Sequence, residues 1–292
     1  MKLAYLVLVV VLSCATAFTT VWWTGHAPSD VPAGRTDQPA FERVIKTNTL
    51  RCAYIVIPPE FIRDPNTGKF SGIVYDIAEE MAKSLNLKID WVDEVSFGNL
   101  AEGLKTGRYD IVCDALYLGN VSMARVVDHL LPIYYTGTGV YVRADDHRFD
   151  DNLAAIDVPN VTIATIDAEM SQFIREQSFP ASQNFSLPQN TDLTQLFLSV
   201  ETHKADVTFA DESVYTPYRA ANPGKLRDLV LNNPLQVHAH SFVVNKGESK
   251  LASMLNLALR EMLLSGRIDA IIKKYETPQS GILRVAKSYA PQ

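Results

Sequence analysis

Short apolar segments rich in β-favouring residues alternate along this chain with segments whose apolar residues recur at helical spacing. Residues 50–57 predict a strand that ends at Pro58, because proline cannot donate a hydrogen bond to a sheet. Residues 73–85 carry an apolar side chain at every fourth position, as one face of a helix does. The same criteria predict strands at 87–92, 109–116, 161–164 and 241–244, and helices at 100–104, 168–175, 251–264 and 268–275. Such alternation is typical of α/β proteins with mostly parallel sheets.

Two stretches of the chain repeat the same order of features. Residues 100–114 and 196–211 each run from a helix through an aspartate in a loop to an apolar strand and a second aspartate. The loop aspartates are Asp110 and Asp206. The repeat implies two similar α/β lobes, although generic α/β packing can produce the same order.

The chain after the second repeat is short, and we expect it to complete the first lobe. The second lobe is then an insertion, with two strands crossing between the lobes. The expected order is a signal peptide or anchor at 1–25, a linker at 26–45, the first lobe at 46–142 and 239–278, the second lobe at 143–238, and a tail at 279–292. Ligands bind beyond the carboxyl ends of strands in open α/β sheets, so two facing lobes would form a cleft.

Residues 3–23 carry no charged side chain. A basic start, an apolar core and small residues at Ala15 and Ala17 fit a cleaved secretory signal peptide. The length of the segment and the Trp22-Trp23 pair fit an uncleaved membrane anchor. A lipoprotein signal with Cys14 is a third alternative, and a buried apolar helix is a fourth. The first three all export the rest of the chain.

The remaining cysteines are Cys52 and Cys113, both in predicted strands. Export would allow a disulfide between them, and two buried free thiols are the alternative. His238 and His240 alternate along a strand, but no set of residues has metal-ligand spacing, so we expect no metal and no cofactor. The net charge of −6 argues against binding to nucleic acid, which needs clustered basic residues.

An ordered series of short motifs runs through the chain. The motifs are Leu50–Ala53, Pro58–Phe61, Gly68–Gly72, Asp76–Ala78, Leu100–Asp110, Arg125, Pro132–Gly137, Ala205–Asp211, Lys246-Gly247, Gly266 and Lys273–Tyr275. Together they make residues 48–277 resemble the amino-acid-type, family 3 extracellular solute-binding proteins of ABC transporters. The resemblance implies an α/β fold of the two-lobe periplasmic binding protein-like II type, a Venus flytrap in which each lobe is a mostly parallel sheet flanked by helices.

The resemblance also implies site residues. Arg125 would bind a ligand carboxylate through a bidentate, charge-assisted pair, and Asp211 would accept hydrogen bonds from a ligand ammonium. Other candidates for contact with the ligand are Tyr117, Tyr134, Phe61, Phe97, Asn120, Ser122, Asp114 and Asp167. For the two phenylalanines, packing in the core is an open alternative.

The chain departs from the family pattern at three places. The loop before Arg125 is longer than usual, and Ile166-Asp167 replaces the Gly-Thr that helps to bind carboxylate. Asp167 would repel a ligand carboxylate unless it caps its own helix, whose backbone amides could still bind an anion. Ile55 stands where receptors for basic amino acids tend to carry an acidic residue, which disfavours Lys, Arg or His as the ligand.

The resemblance therefore implies an exported receptor of an ABC importer that captures a small polar solute, an amino acid or related carboxylate, and presents it to permease subunits. It would be periplasmic, or held at the outer face of the cytoplasmic membrane if residues 3–23 stay as an anchor. One alternative is a dehydratase-like enzyme acting on a prephenate-type acid, with Asp114, Asp167 or Glu169 moving protons. The other is a ligand-sensing module for a separate partner.

Overall fold

The computed structural model describes residues 39–117, 123–231, 233–277 and 281–285. The helices are α1 (Ala40–Thr47), α2 (Ile73–Ser84), α3 (Leu100–Lys105), α4 (Met170–Ser178), α5 (Thr194–Glu201), α6 (Glu212–Ala221), α7 (Ser249–Leu264) and α8 (Arg267–Tyr275). The strands are β1 (Thr49–Tyr54), β2 (Ile62–Arg63), β3 (Phe70–Ser71), β4 (Lys88–Glu94), β5 (Ile111–Tyr117), β6 (Val127–His129), β7 (Tyr134–Arg143), β8 (Thr162–Ile166), β9 (Gln183–Leu187), β10 (Val207–Asp211), β11 (Leu226–Asp228), β12 (Gln236–Asn245) and β13 (Ile282–Leu283).

One sheet runs through the body in the order β4-β1-β5-β12-β7-β10-β8-β9. Strand β1 is parallel to β4 and β5, and β8 is parallel to β9 and β10. Between these two groups, β12 and β7 pair antiparallel with each other and with their outer neighbours. Two mostly parallel groups of strands are thus joined by one crossing pair, which confirms the predicted two-lobe α/β fold.

Each parallel group buries apolar side chains on both of its faces, as alternation along a strand requires. In β1, Cys52 and Ala53 belong to different apolar clusters, and in β10 the same holds for Phe209 and Ala210. The cluster that contains Cys52 also takes in buried residues of α7 and α8. The C-terminal helices therefore pack on the first group of strands, and the proposed lobe boundaries themselves stay predictions.

Both ends of the described body depart from the predicted linker and tail. Helix α1 occupies residues 40–47, and its Val44 is fully buried in the core of the first lobe. The predicted linker therefore ends earlier than residue 45. Strand β13 pairs with Thr136 and Tyr135 of β7, so part of the predicted tail belongs to the sheet. The predicted leader at residues 3–23 lies outside the described residues.

The internal repeat has a structural counterpart at the start of each lobe's parallel strands. Asp110 donates its backbone N–H to the Arg51 carbonyl at 2.9 Å, and its Oδ2 accepts from the Arg51 N–H at 2.8 Å. Asp206 makes the same exchange with Thr162, at 2.7 and 2.9 Å. Two arginines flank each carboxylate: Arg43 and Arg51 beside Asp110, and Arg143 and Arg148 beside Asp206. The two aspartates are equivalent clamps between neighbouring strands.

Cys52 of β1 and Cys113 of β5 form a disulfide, with their Cα atoms 5.6 Å apart. Both residues are fully buried. Of the two alternatives that the sequence left open, the structure contains the disulfide, and it links two adjacent strands of the first lobe.

The Asp110 clamp predicts a large loss of stability on substitution. Asp110→Asn keeps the shape of the side chain but leaves Arg43 and Arg51 without their buried counter-charge, at a cost of about 3 kcal/mol. The matched control is Glu94→Gln, because the Glu94–Arg63 pair is half exposed and contributes less than about 1 kcal/mol. Urea unfolding followed by circular dichroism measures both, and equal losses in the two variants would contradict the assignment.

Candidate functional site

A cavity of about 100 Å³ lies between the two lobes, near the carboxyl ends of the parallel strands. Its apolar lining comes from both sides, with Phe97 and Leu116 from the first lobe and Phe173 and Val214 from the second. Its polar lining consists of carboxyl groups and histidines: Glu60, Asp114, His129, Glu169, Asp211 and His240. The arrangement is that of a ligand cavity, apolar over most of its wall with a few convergent polar groups.

Asp211 ends β10 and is buried, with 8% of its surface exposed. Its Oδ2 accepts a hydrogen bond from the Thr136 hydroxyl at 2.8 Å and lies 3.5 Å from Nε2 of His240. Burial raises the pKa of Asp211, but hydrogen bonds and charge from His240, with His238 and Thr136, outweigh it and hold the pKa below its ordinary value. Among the described residues, Oδ1 of Asp211 has no hydrogen-bond partner.

Thr136 and His240 hold the Asp211 carboxylate in place from the two crossing strands. Because the Thr136 hydroxyl donates to Asp211, its oxygen is available to accept from Nε2–H of His240 at 2.6 Å. The His240 ring stacks on Tyr134, with the ring centroids 5.0 Å apart. The site is thus built partly on the strands that join the lobes.

A second hydrogen-bonded pair of side chains links β7 and β12, two residues along each strand from Thr136 and His240. Thr138 of β7 and His238 of β12 lie 2.5 Å apart, Oγ1 to Nε2. Burial lowers the pKa of His238 to about 4, so this histidine is neutral at physiological pH. The pair therefore contributes a neutral hydrogen bond beside the charged one at Asp211.

Two buried glutamates, one from each lobe, also line the cavity. Burial raises the pKa of Glu60, in the loop after β1, to about 7; His240 and the Tyr134 hydroxyl oppose this and Asp211 adds to it. Burial raises the pKa of Glu169 to about 7 as well, although its Oε2 accepts hydrogen bonds from N–H and Oγ–H of Ser171 at 2.7 and 2.5 Å. At neutral pH both glutamates therefore hold a proton more readily than an exposed glutamate does.

Asp114 completes a set of four buried carboxyl groups around one space. It lies on β5 with 1% of its surface exposed, at the place in the first repeat that Asp211 has in the second. His129, the remaining polar residue of the wall, has its pKa lowered by burial. Among the described residues that line the cavity there is no lysine and no arginine.

The aromatic candidates divide between the cavity and the core. Phe97 lines the cavity, whereas Phe61 is fully buried in an aromatic cluster. There it stacks on Tyr54 at 4.7 Å and meets Trp91 edge-on at 5.1 Å, both between ring centroids. This placement favours the alternative of core packing for Phe61. Tyr134 is also fully buried and lies behind the cavity wall, against His240.

The candidates around the loop before Arg125 are described only in part. Arg125 ends a 3-10 turn and is exposed, and Met123 at the start of the same turn lines the cavity. Asn120 and Ser122 lie outside the described residues, as does the side chain of Tyr117 at the end of β5. Their roles in binding stay predictions.

The prediction that Asp167 caps the following helix is wrong. Ala168 adopts a left-handed conformation with φ of 62°, which moves the start of α4 along the chain, and the cap is Glu169. Asp167 is exposed and accepts a hydrogen bond from the Ser186 hydroxyl. The Glu169 carboxylate also accepts a hydrogen bond from the Ser171 N–H. This amide belongs to the helix start that was predicted as a possible anion site.

Sequence reasoning missed Glu60 and His240 as site residues and considered Glu169 only as an enzymatic acid. The alternation of His238 and His240 was the available signal, since residues two apart on a strand share a face. No comparable signal marks Glu60, because its burial depends on packing between distant segments. In the parts of the chain that the structure describes, no group of residues could hold a metal ion, and no helix is both long and apolar enough to span a membrane.

The fold is similar to solved structures of amino-acid-binding proteins. A mutant of the arginine-binding protein from T. maritima matches with a TM-score of 0.68 at 21% identity, over 80% of this chain and 97% of that one. A reconstructed ancestral amino acid-binding protein, described as a precursor of cyclohexadienyl dehydratase, matches with a TM-score of 0.70 at 21% identity, over 82% and 100%. At these identities the likeness establishes the fold.

Sequence comparison agrees with the fold. A Campylobacter jejuni protein named "Probable histidine-binding protein" is 26% identical over 211 residues, which cover 71% of this chain and 77% of the relative. The family model of the bacterial extracellular solute-binding proteins, family 3, matches residues 52–278, which include both lobes and the cavity between them. The chain therefore belongs to family 3 of the bacterial extracellular solute-binding proteins.

Proposed function

We propose that this protein is the exported receptor of an amino-acid ABC importer, and that it captures its ligand in the cavity between the lobes and presents it to the permease. Membership of an extracellular solute-binding family supports the proposal. So do the names of relatives, which include histidine-, L-cystine- and glutamine-binding proteins. The interlobe position of the cavity supports it as well, because a ligand that contacts both lobes stabilises the closed form.

The observation that carries the proposal is the unpaired Oδ1 of Asp211. Among the described residues this buried oxygen has no hydrogen-bond partner, while Oδ2 already accepts from Thr136. A buried carboxylate oxygen without a donor is costly, and an ammonium group supplies both the donor and the charge. Asp211 would therefore accept hydrogen bonds from the α-ammonium of an amino acid.

Arg125 is the proposed partner of the ligand carboxylate. Arg125 is exposed and stands two residues from Met123, which lines the cavity, and this nearness supports the proposal. Asp211 belongs to the second lobe. A zwitterionic ligand held by both residues would tie the lobes together.

The second candidate is a dehydratase acting on a prephenate-type acid. Two buried glutamates with pKa values of about 7, Glu60 and Glu169, would suit proton transfer at neutral pH. The charge of the cavity argues against it, because such a substrate carries two carboxylates and four carboxyl groups already line the wall. A solution assay for prephenate consumption distinguishes the two functions.

Thermal shift against the twenty common L-amino acids tests the binding function. We expect at least one to raise the melting temperature, since a ligand at 100 times its Kd stabilises the native state by about 2.7 kcal/mol. Asp211→Asn should remove the shift, and Asp151→Asn, in an exposed loop, should keep it. If no amino acid shifts the wild-type protein, the proposed function is wrong.

Isothermal titration with the amino acid found in that screen tests the role of Arg125. Arg125→Ala should weaken binding by roughly 10- to 100-fold, the value of a charge-assisted pair with a carboxylate. Arg63→Ala is the control, because Arg63 pairs with Glu94 on the surface and lies away from the cavity. Undiminished affinity in Arg125→Ala would show that another group of the protein binds the ligand carboxylate.

A further inference from the structure

Two buried glutamates line the cavity in addition to Asp211, which would bind the ligand ammonium. Glu60 and Glu169 come from different lobes and are 6% and 7% exposed, and no lysine or arginine stands among the described residues that line the wall. A zwitterionic ligand brings no net charge to balance the two glutamates. Their charge is balanced either by protons on the carboxyl groups or by an additional positive charge on the ligand.

The protein supports these two glutamates less than it supports Asp211. Asp211 has a hydroxyl and a histidine beside it, as an ionised carboxylate needs. Glu169 accepts hydrogen bonds from the amide and hydroxyl of Ser171, which carry no formal charge. Glu60 is buried, and the charge of His240 favours its ionised form while the negative charge of Asp211 opposes it. A positive charge on the ligand would therefore stabilise the ionised form of both glutamates.

We propose that Glu60 and Glu169 determine the specificity of this cleft, and that they select an amino acid with a positively charged side chain, which displaces the protons that the two carboxyl groups hold in the empty cavity. The inference rests on the proposed function, because it concerns the same cavity. It names the ligand class as basic amino acids and adds a coupling between ligand capture and proton release.

The rest of the wall suits such a side chain. The same wall contains Phe97, Leu116 and Phe173, so it can pack the aliphatic stem of a long cation. Ile55 at the exit of β1 argued against basic ligands, but the carboxyl groups of this cavity come from other elements. Glu60 lies in the loop after β1, and Glu169 caps α4.

The direction of the pH dependence follows from the groups around the two glutamates. A cation favours their ionised form and lowers pKa values of about 7 towards the ordinary 4.5, so protons leave on binding. Affinity for a basic amino acid should therefore rise as the pH is raised from about 5 to about 8. Affinity for a neutral one should change less.

Other titratable groups lie near the two glutamates. Asp211, with a lowered pKa, stays ionised across this range, and Tyr134, with a pKa raised well above its ordinary value, stays neutral. Burial lowers the pKa of His129, and a positive charge on this residue at low pH would repel a cation, which acts in the same direction. Asp114 and His240 are the remaining titratable residues of the wall.

Isothermal titration with matched ligands tests the specificity. L-Arginine and L-citrulline have nearly the same shape and differ in the charge of the side chain, as do L-lysine and L-norleucine. In the purified full-length protein we expect at least one basic ligand to bind 10-fold or more tightly than its neutral counterpart. Glu60→Gln and Glu169→Gln should each reduce that ratio, and circular dichroism checks that the variants fold.

Titration at pH 7 in buffers of different ionisation enthalpy measures the protons. Binding of a basic ligand should release protons from the wild type, and the release should be lost in Glu60→Gln/Glu169→Gln. Asp151→Asn, in the exposed loop, is the control and should behave as wild type.

The outcomes separate this inference from the proposed function. Tighter binding of citrulline and norleucine, or an unchanged ratio in both variants, overturns the inference and leaves an amino-acid receptor. Undiminished proton release in Glu60→Gln/Glu169→Gln shows that other groups supply the protons and overturns the coupling. If no amino acid of either kind binds, the proposed function itself fails. The comparison of basic with neutral ligands in the wild-type protein tests the specificity even if a variant loses all binding.

Discussion

The antiparallel pairing of β7 with β12 is the constraint on which the rest of the structure depends. These two strands join the parallel groups into one sheet and carry Thr136 and His240, which fix Asp211 at the cavity. The connection between the lobes and the polar centre of the site are therefore one element.

Much of the fold could be predicted, because the signals for it are local. Alternating strand and helix patterns follow from burial along each element, and the repeated loop aspartates recur because each lobe must tie the start of one strand to its neighbour. Asp110 and Asp206 show this directly, with the same two-way exchange of hydrogen bonds in each lobe. The positions of Asp114 and Asp211 in the cavity follow from the same repeat.

The rest of the site could not be predicted from the sequence, because it depends on contacts between distant segments. Glu60 is an ordinary loop glutamate until packing against β7, β10 and β12 buries it, and burial is what raises its pKa. The cap of α4 depends on one backbone angle at Ala168, which no pattern of residue types specifies. In this arrangement Asp167 is exposed, and Glu169 is buried and caps the helix.

The aspartate clamps stand at the opposite ends of the parallel strands from the cavity. Asp110 and Asp206 precede β5 and β10, whereas Asp211 is the last residue of β10. The residues that connect neighbouring strands thus lie at one edge of the sheet, and the residues proposed to bind the ligand lie at the other edge. Such a separation favours evolutionary change of the ligand, because substitutions at one edge leave the other edge intact. A lineage built on this body could exchange one nutrient for another without having to evolve a new fold.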